Sequence, residues 1–173
     1  MTLIKKIKGK EPVFHPSCWF AENATLIGDI KMGKHCTVWY NAVIRGDVNK
    51  VRIGNHVNIQ DGAIIHNTYQ KTECHIGDHS SIAHNAVVHG CTLEENVLIG
   101  IGAIVLDNAY IEKNSIIAAG AVVLEGTRVK EGCIYAGCPA KMIKRLDESQ
   151  FENLNKRIAL SYPKYAEWNE KMD

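Results

Sequence analysis

The chain has 173 residues, with 20 Lys and Arg against 19 Asp and Glu, so its formal net charge is +1. This length is enough to bury the core of one domain. The near-neutral balance gives no electrostatic basis for binding nucleic acid or an anionic membrane surface. No apolar run reaches the roughly 20 residues that a membrane-spanning helix needs.

The N-terminal segment 1–8 carries lysines but no following apolar stretch, which predicts no signal peptide. The six cysteines are far apart and form no CxxC pair: Cys18, Cys36, Cys74, Cys91, Cys133 and Cys138. Without an export signal we expect them to stay reduced thiols. We therefore expect a cytoplasmic protein of a prokaryote, or a protein of an organelle matrix.

An apolar residue recurs at every sixth position through the C-terminal half: Leu93, Ile99, Val105, Ile111, Ile117, Val123, Val129 and Tyr135. A small or β-branched residue follows four positions after most of them. The same pattern runs in earlier frames over 20–44, 53–65 and 76–88, with slips near Lys50, within 67–75 and near Thr92. Eight consecutive repeats in one frame make chance alternation in a β-sandwich a poor explanation.

Two inward positions in every six residues, separated by one outward residue, describe a short strand and a corner. Three such hexads close a triangular coil of 18 residues. The pattern predicts an all-β fold, a left-handed parallel β-helix over residues 1–144, with a C-terminal helical tail over 145–173. A glycine follows the aliphatic residue at Gly33, Gly54, Gly77 and Gly100, and we expect these glycines to adopt positive φ at the corners.

The tail has helical spacing. Asp147 and Gln150 resemble a capping box, and Phe151, Leu154, Ile158 and Tyr162 follow at helical intervals. Pro163 is expected to interrupt this helix, and Tyr165 and Trp168 suggest a second short helical turn. We expect the tail to pack along the β-helix or across a subunit interface.

Stacking of the hexads predicts which residues become neighbours. Ile53, Ile59 and Ile65 occupy the first, second and third faces of one coil, and Ile76, Ile82 and Val88 occupy the same faces of the next. The residues after the third-face aliphatics then form one column, Arg45, His66, His89 and Leu106. A column at a different corner contains Tyr40, Asp61, His84 and Ile101. A three-fold assembly would bring these two corners together between subunits.

Three imidazoles with an open fourth position are the ligand set of a catalytic zinc site, and each ring needs an acceptor for its other nitrogen. Asp47, Gln60 and Asp61 are candidates for that role. We interpret His35, His56 and His79 as turn residues on exposed corners and leave His15 and His75 unassigned. Cys74 with His75 is a weaker rival ligand pair, and Cys36 and Cys133 fall at inward core positions.

At these residues the chain resembles the gamma-class carbonic anhydrase-like family of hexapeptide-repeat proteins. The resemblance rests on V-I-R-G-D (43–47), I-G-x-x-x-N-I-Q-D-G (53–62), His66 and I-A-H-N-A-V-V-H-G-C (82–91). It implies reversible hydration of CO2 to bicarbonate in a homotrimer, with zinc, or alternatively iron or cobalt, at each subunit interface. The implied metal ligands are His66 and His89 of one subunit and His84 of its neighbour. The implied supporting residues are Arg45 paired with Asp47, and Gln60 and Asp61 near the metal-bound water.

The chain departs from the family's founding archaeal enzymes in the segment 67–73. Those enzymes carry a longer acidic loop with a proton-shuttling glutamate, whereas here Glu73 is the only acidic residue, and Val48 stands where a carboxylate would extend R-G-D. The chain thus resembles the short-loop subgroup, which includes members of weak or no activity and in which a tail tyrosine, here Tyr165, approaches the site. Two alternatives remain open: an acyltransferase using acyl-CoA with His84 or His89 as general base, and a non-catalytic trimeric metal-binding scaffold.

Overall fold

A computed structural model describes residues 1–147 and 155–170 of the chain. The strands of these residues are β1 Leu3–Lys5, β2 Val13–Phe14, β3 Trp19–Phe20, β4 Thr25–Met32, β5 Thr37–Val38, β6 Val43–Ile53, β7 Asn58–Ile59, β8 Ile64–His66, β9 Cys74–Ile76, β10 Ser81–Ile82, β11 Val87–His89, β12 Thr92–Leu93, β13 Leu98–Ile99, β14 Ile104–Val105, β15 Tyr110–Ile111, β16 Ile116–Ile117, β17 Val122–Val123, β18 Arg128–Val129, β19 Cys133–Ala136 and β20 Lys141–Arg145. One helix, α1, spans Arg157–Glu170.

The strands form a left-handed parallel β-helix of about seven coils, which confirms the predicted fold class. An eight-stranded sheet makes the second face of the triangle, and a twelve-stranded sheet makes the first and third faces. The long strands β4 and β6 turn a corner and so belong to both of those faces. The predicted stacking is confirmed, because Ile53 pairs with Ile76, Ile59 with Ile82 and Ile65 with Val88.

The core is a set of aliphatic columns inside the triangle. Val38, Ile59, Ile82, Ile99 and Ile117 of the second face have no exposed surface. Each such side chain contributes about 1.5–3 kcal/mol when it leaves water. The small inward positions near the corners, which include Ala63, Ala86 and Ala103, are equally buried. The hexapeptide pattern of large and small inward residues is therefore the packing pattern of the core.

The glycines after the aliphatic residues serve a different purpose from the one predicted, since the corner residues with positive φ come two positions later. Gly33, Gly54, Gly77 and Gly100 are not among the positive-φ residues, whereas His35, His56 and His79 have φ of 55°, 53° and 58°. A Cβ on Gly77 would lie 2.6 Å from the amide nitrogen of Glu95, and one on Gly33 2.7 Å from the carbonyl oxygen of Gly54. These glycines are required because the next coil approaches too closely for a side chain.

The two ends of the solenoid are closed differently. At the N-terminal end, β1 adds to the third face by parallel pairing with the first half of β4. At the other end, β20 folds back antiparallel onto β19. Such additions cover strand edges that would otherwise be left unpaired in the terminal coils.

Helix α1 runs along the second face in the direction opposite to the stacking of the coils. Asn155, just before the helix, donates a hydrogen bond to the carbonyl oxygen of Asn96 (2.9 Å), and Tyr40 donates one to Asn169 at the far end (3.1 Å). Tyr162 packs edge-on against Trp39, with ring centroids 5.3 Å apart.

The expected break at Pro163 is wrong, because α1 continues through this residue. A proline inside a helix costs about 3 kcal/mol. Ala159 and Ala166 on either side of Pro163 are buried, so packing against the β-helix offsets this cost. The expected capping-box residue Gln150 and the expected helical residues Phe151 and Leu154 lie outside the described residues. No helix in the described ranges is long and apolar enough to span a membrane.

Candidate functional site

The outward side chains of the three faces differ in chemistry. The first face presents charged residues held in ion pairs, such as Arg52 with Asp29 (2.8 Å) and Arg128 with Glu112 (2.6 Å). The second face is covered by α1. The third face presents an aliphatic column, which follows the strand register from coil to coil: Val43, Ile64, Val87, Ile104 and Val122. Ile64 in this column is 43% exposed.

His66 and His89 lie at the end of the third face, directly after this aliphatic column. They are register partners in β8 and β11. The Nδ1 atom of His66 and the Nε2 atom of His89 are 3.2 Å apart. Parallel strands in register place equivalent side chains about 4.8 Å apart on the same side of the sheet, which explains why the two rings converge.

A carboxylate holds the other nitrogen of each ring. The Nε2 atom of His66 lies 3.2 Å from Asp47, and the Nδ1 atom of His89 lies 2.6 Å from Asp107. Thr68 donates a hydrogen bond to the second oxygen of Asp107. Asp107 is a site residue that was not predicted from the sequence. It directly follows Leu106, the next member of the column of His66 and His89, and this position is the signal that could have identified it.

The charges around this pair are balanced within the chain. Arg45 donates a 2.6 Å hydrogen bond to Asp47, and its other terminal nitrogen lies 3.4 Å from His66. Partial burial works to raise the pKa of Asp47, but the hydrogen bond and charge of Arg45 outweigh it and lower that pKa. Burial, followed by the charge of Arg45, lowers the pKa of His66. The environment thus favours a neutral imidazole beside an ionised carboxylate, which is the state a metal ligand requires.

His84 lies at a different corner, in the column with Asp61. Its Nδ1 atom is 2.9 Å from a carboxylate oxygen of Asp61. The amide nitrogen of Gln60 donates to Asn58 (2.9 Å), which donates to Ser81 (2.7 Å), and the carbonyl oxygen of Gln60 is not used in these bonds. These three hydrogen-bonded side chains are buried, so they fix the orientation of the Gln60 amide, which lies next to the His84 corner.

The C-terminal helix brings Tyr165 to the same corner as His84. Both residues line a cavity of about 530 Å³ between the second face and α1, together with Gln60 and Tyr162. Burial, with the nearby carboxylate of Asp61 contributing, raises the pKa of Tyr162 to about 12. Tyr165 packs on Tyr162 with ring centroids 5.4 Å apart and is itself 38% exposed.

The facing nitrogens of His66 and His89 could supply two of the ligands of a divalent metal ion. Two nitrogens bound about 2.05 Å from a tetrahedral zinc ion lie about 3.3 Å apart, close to the separation of the facing His66 and His89 nitrogens. Within the described part of the chain, however, no three His, Cys, Asp or Glu side chains form a complete metal-binding group. One chain therefore brings together two of the three predicted histidine ligands and leaves His84 apart from them.

The remaining histidines and cysteines lie elsewhere. His35, His56 and His79 stack on an exposed corner, with centroid separations of 4.9 and 5.2 Å, as expected for turn residues in one column. The Nδ1 atom of His56 is buried without a hydrogen-bond partner in the described ranges. Cys74 points into the core and His75 outward to Glu73, so these two do not form a ligand pair. Cys36 and Cys133 are core residues as predicted.

Comparisons with known proteins agree with the fold and the motifs. The family described as "Bacterial transferase hexapeptide (six repeats)" matches residues 90–125. A Methanocaldococcus jannaschii protein described as a probable carbonic anhydrase is 44% identical over 85% of this chain and 91% of its own. A carbonic anhydrase of Geobacillus kaustophilus is 41% identical over 92% of this chain and 87% of its own. A solved structure of a hexapeptide transferase family protein from Anaplasma phagocytophilum is 35% identical, with a TM-score of 0.88, over 95% of this chain and 96% of its own.

These identities extend over most of the chain and include the segments that carry His66, His84 and His89. Together with the coiled architecture and the paired histidines of the third face, they establish the relationship. The chain belongs to the gamma-class carbonic anhydrase-like family of hexapeptide-repeat proteins.

Proposed function

We propose that this protein is a homotrimeric metalloprotein of the carbonic anhydrase type, which hydrates CO2 reversibly at a zinc site shared between subunits. The observation that carries the proposal is the 3.2 Å approach of the His66 and His89 nitrogens, with Asp47 and Asp107 holding their opposite nitrogens. His84 of a second subunit would supply the third ligand. Iron or cobalt suits the same imidazole set.

The aliphatic column of the third face supports the trimer. The first face is occupied by ion pairs and the second by α1, so the third face is the apolar surface that remains to be covered. The column lies beside the histidine pair. Ile64 and Val87 come two residues before His66 and His89, and Ile104 pairs with Val87 in the next coil. A three-fold assembly would cover this surface and bring the His84 corner of the neighbour next to the histidine pair.

The chain's own residues have defined tasks in such a site. A bound divalent ion supplies Lewis acidity, which lowers the pKa of a water molecule to about 7. Asp47, Asp107 and Asp61 fix the rings of His66, His89 and His84 and keep the free nitrogen of each ring available. Gln60, held by Asn58, orients the reacting water or the CO2 oxygen. Arg45 neutralises Asp47 and helps to hold the bicarbonate product.

Proton release is the step for which the chain is least equipped. Glu73, the only acidic residue in the segment 67–73, forms an ion pair with Lys50 (2.7 Å) and contacts His75 (3.2 Å) on the first face. It is therefore engaged away from the histidine pair. Transfer of the proton to buffer would depend on solvent or on Tyr165, and we expect turnover to be slow and to rise with buffer concentration.

The decisive experiment combines metal analysis with a CO2 hydration assay. Protein prepared with zinc, cobalt or iron should contain one metal ion per chain, and hydration should depend on that metal. His66→Ala should lose both, whereas His75→Ala, on the first face, should lose neither. A wild-type trimer that binds no divalent metal would refute the proposal. A full metal content without CO2 hydration by the zinc, cobalt or iron protein would favour the alternative of a non-catalytic metal-binding scaffold.

A second candidate is favoured by the solved relative described as a hexapeptide transferase family protein. An acyltransferase would use acyl-CoA, with His84 or His89 as general base. We expect no tight binding of acetyl-CoA, since the 3.2 Å approach of His66 to His89 favours a metal site over a single general base. Micromolar acetyl-CoA affinity in calorimetry, with turnover on an amine or hydroxyl acceptor, would replace the carbonic anhydrase proposal.

A further inference from the structure

The cavity between the second face and α1 is much larger than the proposed reaction requires. Its volume is about 530 Å³, within the roughly 300–1,000 Å³ usual for sites that enclose organic ligands. A triatomic substrate such as CO2 needs about the volume of two water molecules, roughly 60 Å³. Most of this space therefore has no use in CO2 hydration.

The shape of the cavity follows from the coils that line it. Gln60, Ala83, Gly100 and Ala119 line it and come from four successive coils of the β-helix. Three coil spacings of about 4.8 Å make it a trough about 14 Å long, parallel to the solenoid axis. Helix α1 forms the opposite wall along its length. An elongated ligand of about ten non-hydrogen atoms fits this trough better than a compact one.

The lining of the trough combines apolar and polar residues. Its apolar residues include Leu98 and Ile101 of the third of these coils and Ile158, which follows Arg157 in α1. Gln60 and His84 lie at one end, next to Tyr162 and Tyr165. Arg157, the first residue of α1, lies at the other, close to the point where Asn155 contacts the coil of Asn96.

The side chain of Arg157 is exposed at the edge of the trough. No carboxylate in residues 1–147 or 155–170 lies within ion-pair distance of it. A cation that has no ion-pair partner among the described residues, at the end of an apolar trough, is complementary to an anionic group on an apolar body. A carboxylate suits the planar fork of a guanidinium, because it can accept two parallel hydrogen bonds.

We propose that this trough binds an elongated amphiphilic monocarboxylate, with its carboxylate at Arg157 and its apolar body along Leu98, Ile101 and Ile158 toward the His84 corner. This ligand site adjoins the proposed site of CO2 and bicarbonate at the His84 corner and extends beyond it along α1. It depends on the fold and on α1 and does not depend on a bound metal. The apolar body is either an alkyl chain or an aryl-alkyl group.

The test is calorimetric titration of the full-length protein, freed of metal by chelation, with octanoate and with 4-phenylbutyrate. Octanamide serves as the uncharged counterpart of octanoate. A ligand of about ten non-hydrogen atoms should bind with a dissociation constant near or below about 1 mM. Tighter binding of octanoate would identify the apolar body of the ligand as an alkyl chain, and tighter binding of 4-phenylbutyrate would identify it as an aryl-alkyl group. Metal-free protein separates this result from the outcome for the carbonic anhydrase proposal.

Two pairs of variants locate the ligand. Ala119→Trp should fill the trough and weaken octanoate binding at least about tenfold. Glu125→Trp, at the equivalent turn position before Gly126, should leave binding unchanged. Arg157→Gln should weaken octanoate about tenfold, since it removes a charge-assisted hydrogen bond, and should not affect octanamide. Lys164→Gln, elsewhere on α1, is the charge control.

Three outcomes would overturn the proposal. The first is absence of saturable binding of both carboxylates to wild-type protein at concentrations of about 10 mM. The second is equal binding by wild type and Ala119→Trp, with both proteins folded by circular dichroism. The third is equal loss of octanoate and octanamide binding in Arg157→Gln, which would place the carboxylate elsewhere.

Discussion

The Nδ1 atom of His66 and the Nε2 atom of His89 face each other at 3.2 Å across two adjacent coils, although 23 residues separate them in the sequence. The strand register alone produces this contact, because the two residues are direct partners in parallel strands. Their outer nitrogens are held by Asp47 and Asp107, so the facing nitrogens, of which that of His66 also lies 3.4 Å from Arg45, are the ones that would bind the proposed metal ion.

Co-assembly of two inactive variants tests the shared site. His66→Ala and His84→Ala should each lose the metal, since each removes one of three ligands. When trimers form at random from equal amounts of both variants, about three quarters of them contain both chains. In each of these mixed trimers, one interface in three has all three histidines. Metal content should therefore recover to about one quarter of the wild-type value. Metal analysis after denaturation and joint refolding measures this. No recovery in heterotrimers verified by mass spectrometry would exclude the cross-subunit ligand set.

Asp107 should be a positioning residue for His89. Asp107→Asn keeps the shape but removes the charge that orients the ring, so we expect metal affinity to fall about 10–100-fold. Competition with a chromophoric chelator measures the affinity. Glu112→Gln makes the same charge change on the first face, where Glu112 accepts hydrogen bonds from Arg128 and from the backbone of Glu131, and should have little effect. An unchanged affinity in Asp107→Asn would remove the assigned role.

The aliphatic column of the third face should be the trimer interface. Ile64→Glu would bury a carboxylate at each interface, which costs several kcal/mol without a partner. We expect the trimer to dissociate to monomers at micromolar concentration in analytical ultracentrifugation. Leu160→Glu is a matched control, because Leu160 is equally exposed (43%) but lies on α1. A wild-type trimer in Ile64→Glu would place the interface on another face.

Close approach of the coils makes Gly77 intolerant of a side chain. Gly77→Ala should destabilise the protein by about 1–3 kcal/mol, because the new Cβ meets the backbone of Glu94 and Glu95. Gly126→Ala should cost about 1 kcal/mol, since its Cβ meets nothing within 4 Å and only its positive φ is unfavourable. Denaturation at one fixed protein concentration compares the two. A larger loss in Gly126→Ala would contradict the steric explanation.

The histidine stack should make stability depend on pH. Burial lowers the pKa of His56, and the charges of His79 and His35 lower it further, whereas Asp78 opposes them. The folded pKa lies below the unfolded value of about 6.5, so the unfolded chain binds more protons in this range. The contribution of His56 is therefore fully present above about pH 6.5 and is lost as the pH falls through the folded value.

His56→Asn should reduce this loss. Asparagine tolerates the left-handed conformation and occupies the equivalent corner at Asn96 and Asn114. We expect a smaller difference between the unfolding free energies at pH 7 and pH 5 than in wild type. His75→Asn, at an exposed position outside the stack, should retain the wild-type difference. Equal pH dependence in wild type and His56→Asn would show that the stack does not act as inferred.

The helical tail shows where sequence patterns were insufficient. The spacing of Ile158 and Tyr162 predicts a helix, and α1 contains both. Its continuation through Pro163 depends on contacts with Trp39 and on the burial of Ala166, which are distant in the sequence. A local rule for proline cannot include such packing. The approach of Tyr165 to the His84 corner was expected from the family resemblance, and the structure adds the cavity that the two residues share.

The sequence by itself determined the coil and the stacking of its repeats, because a period of six dictates which side chains point inward and which residues stack. From that period follow the columns of His66 with His89 and of Asp61 with His84. Only the tertiary structure decided that Asp107 holds His89, that Glu73 is engaged on the first face, and that Gly77 is required by the next coil. These facts depend on side-chain directions and distances between coils, and a repeat pattern specifies neither.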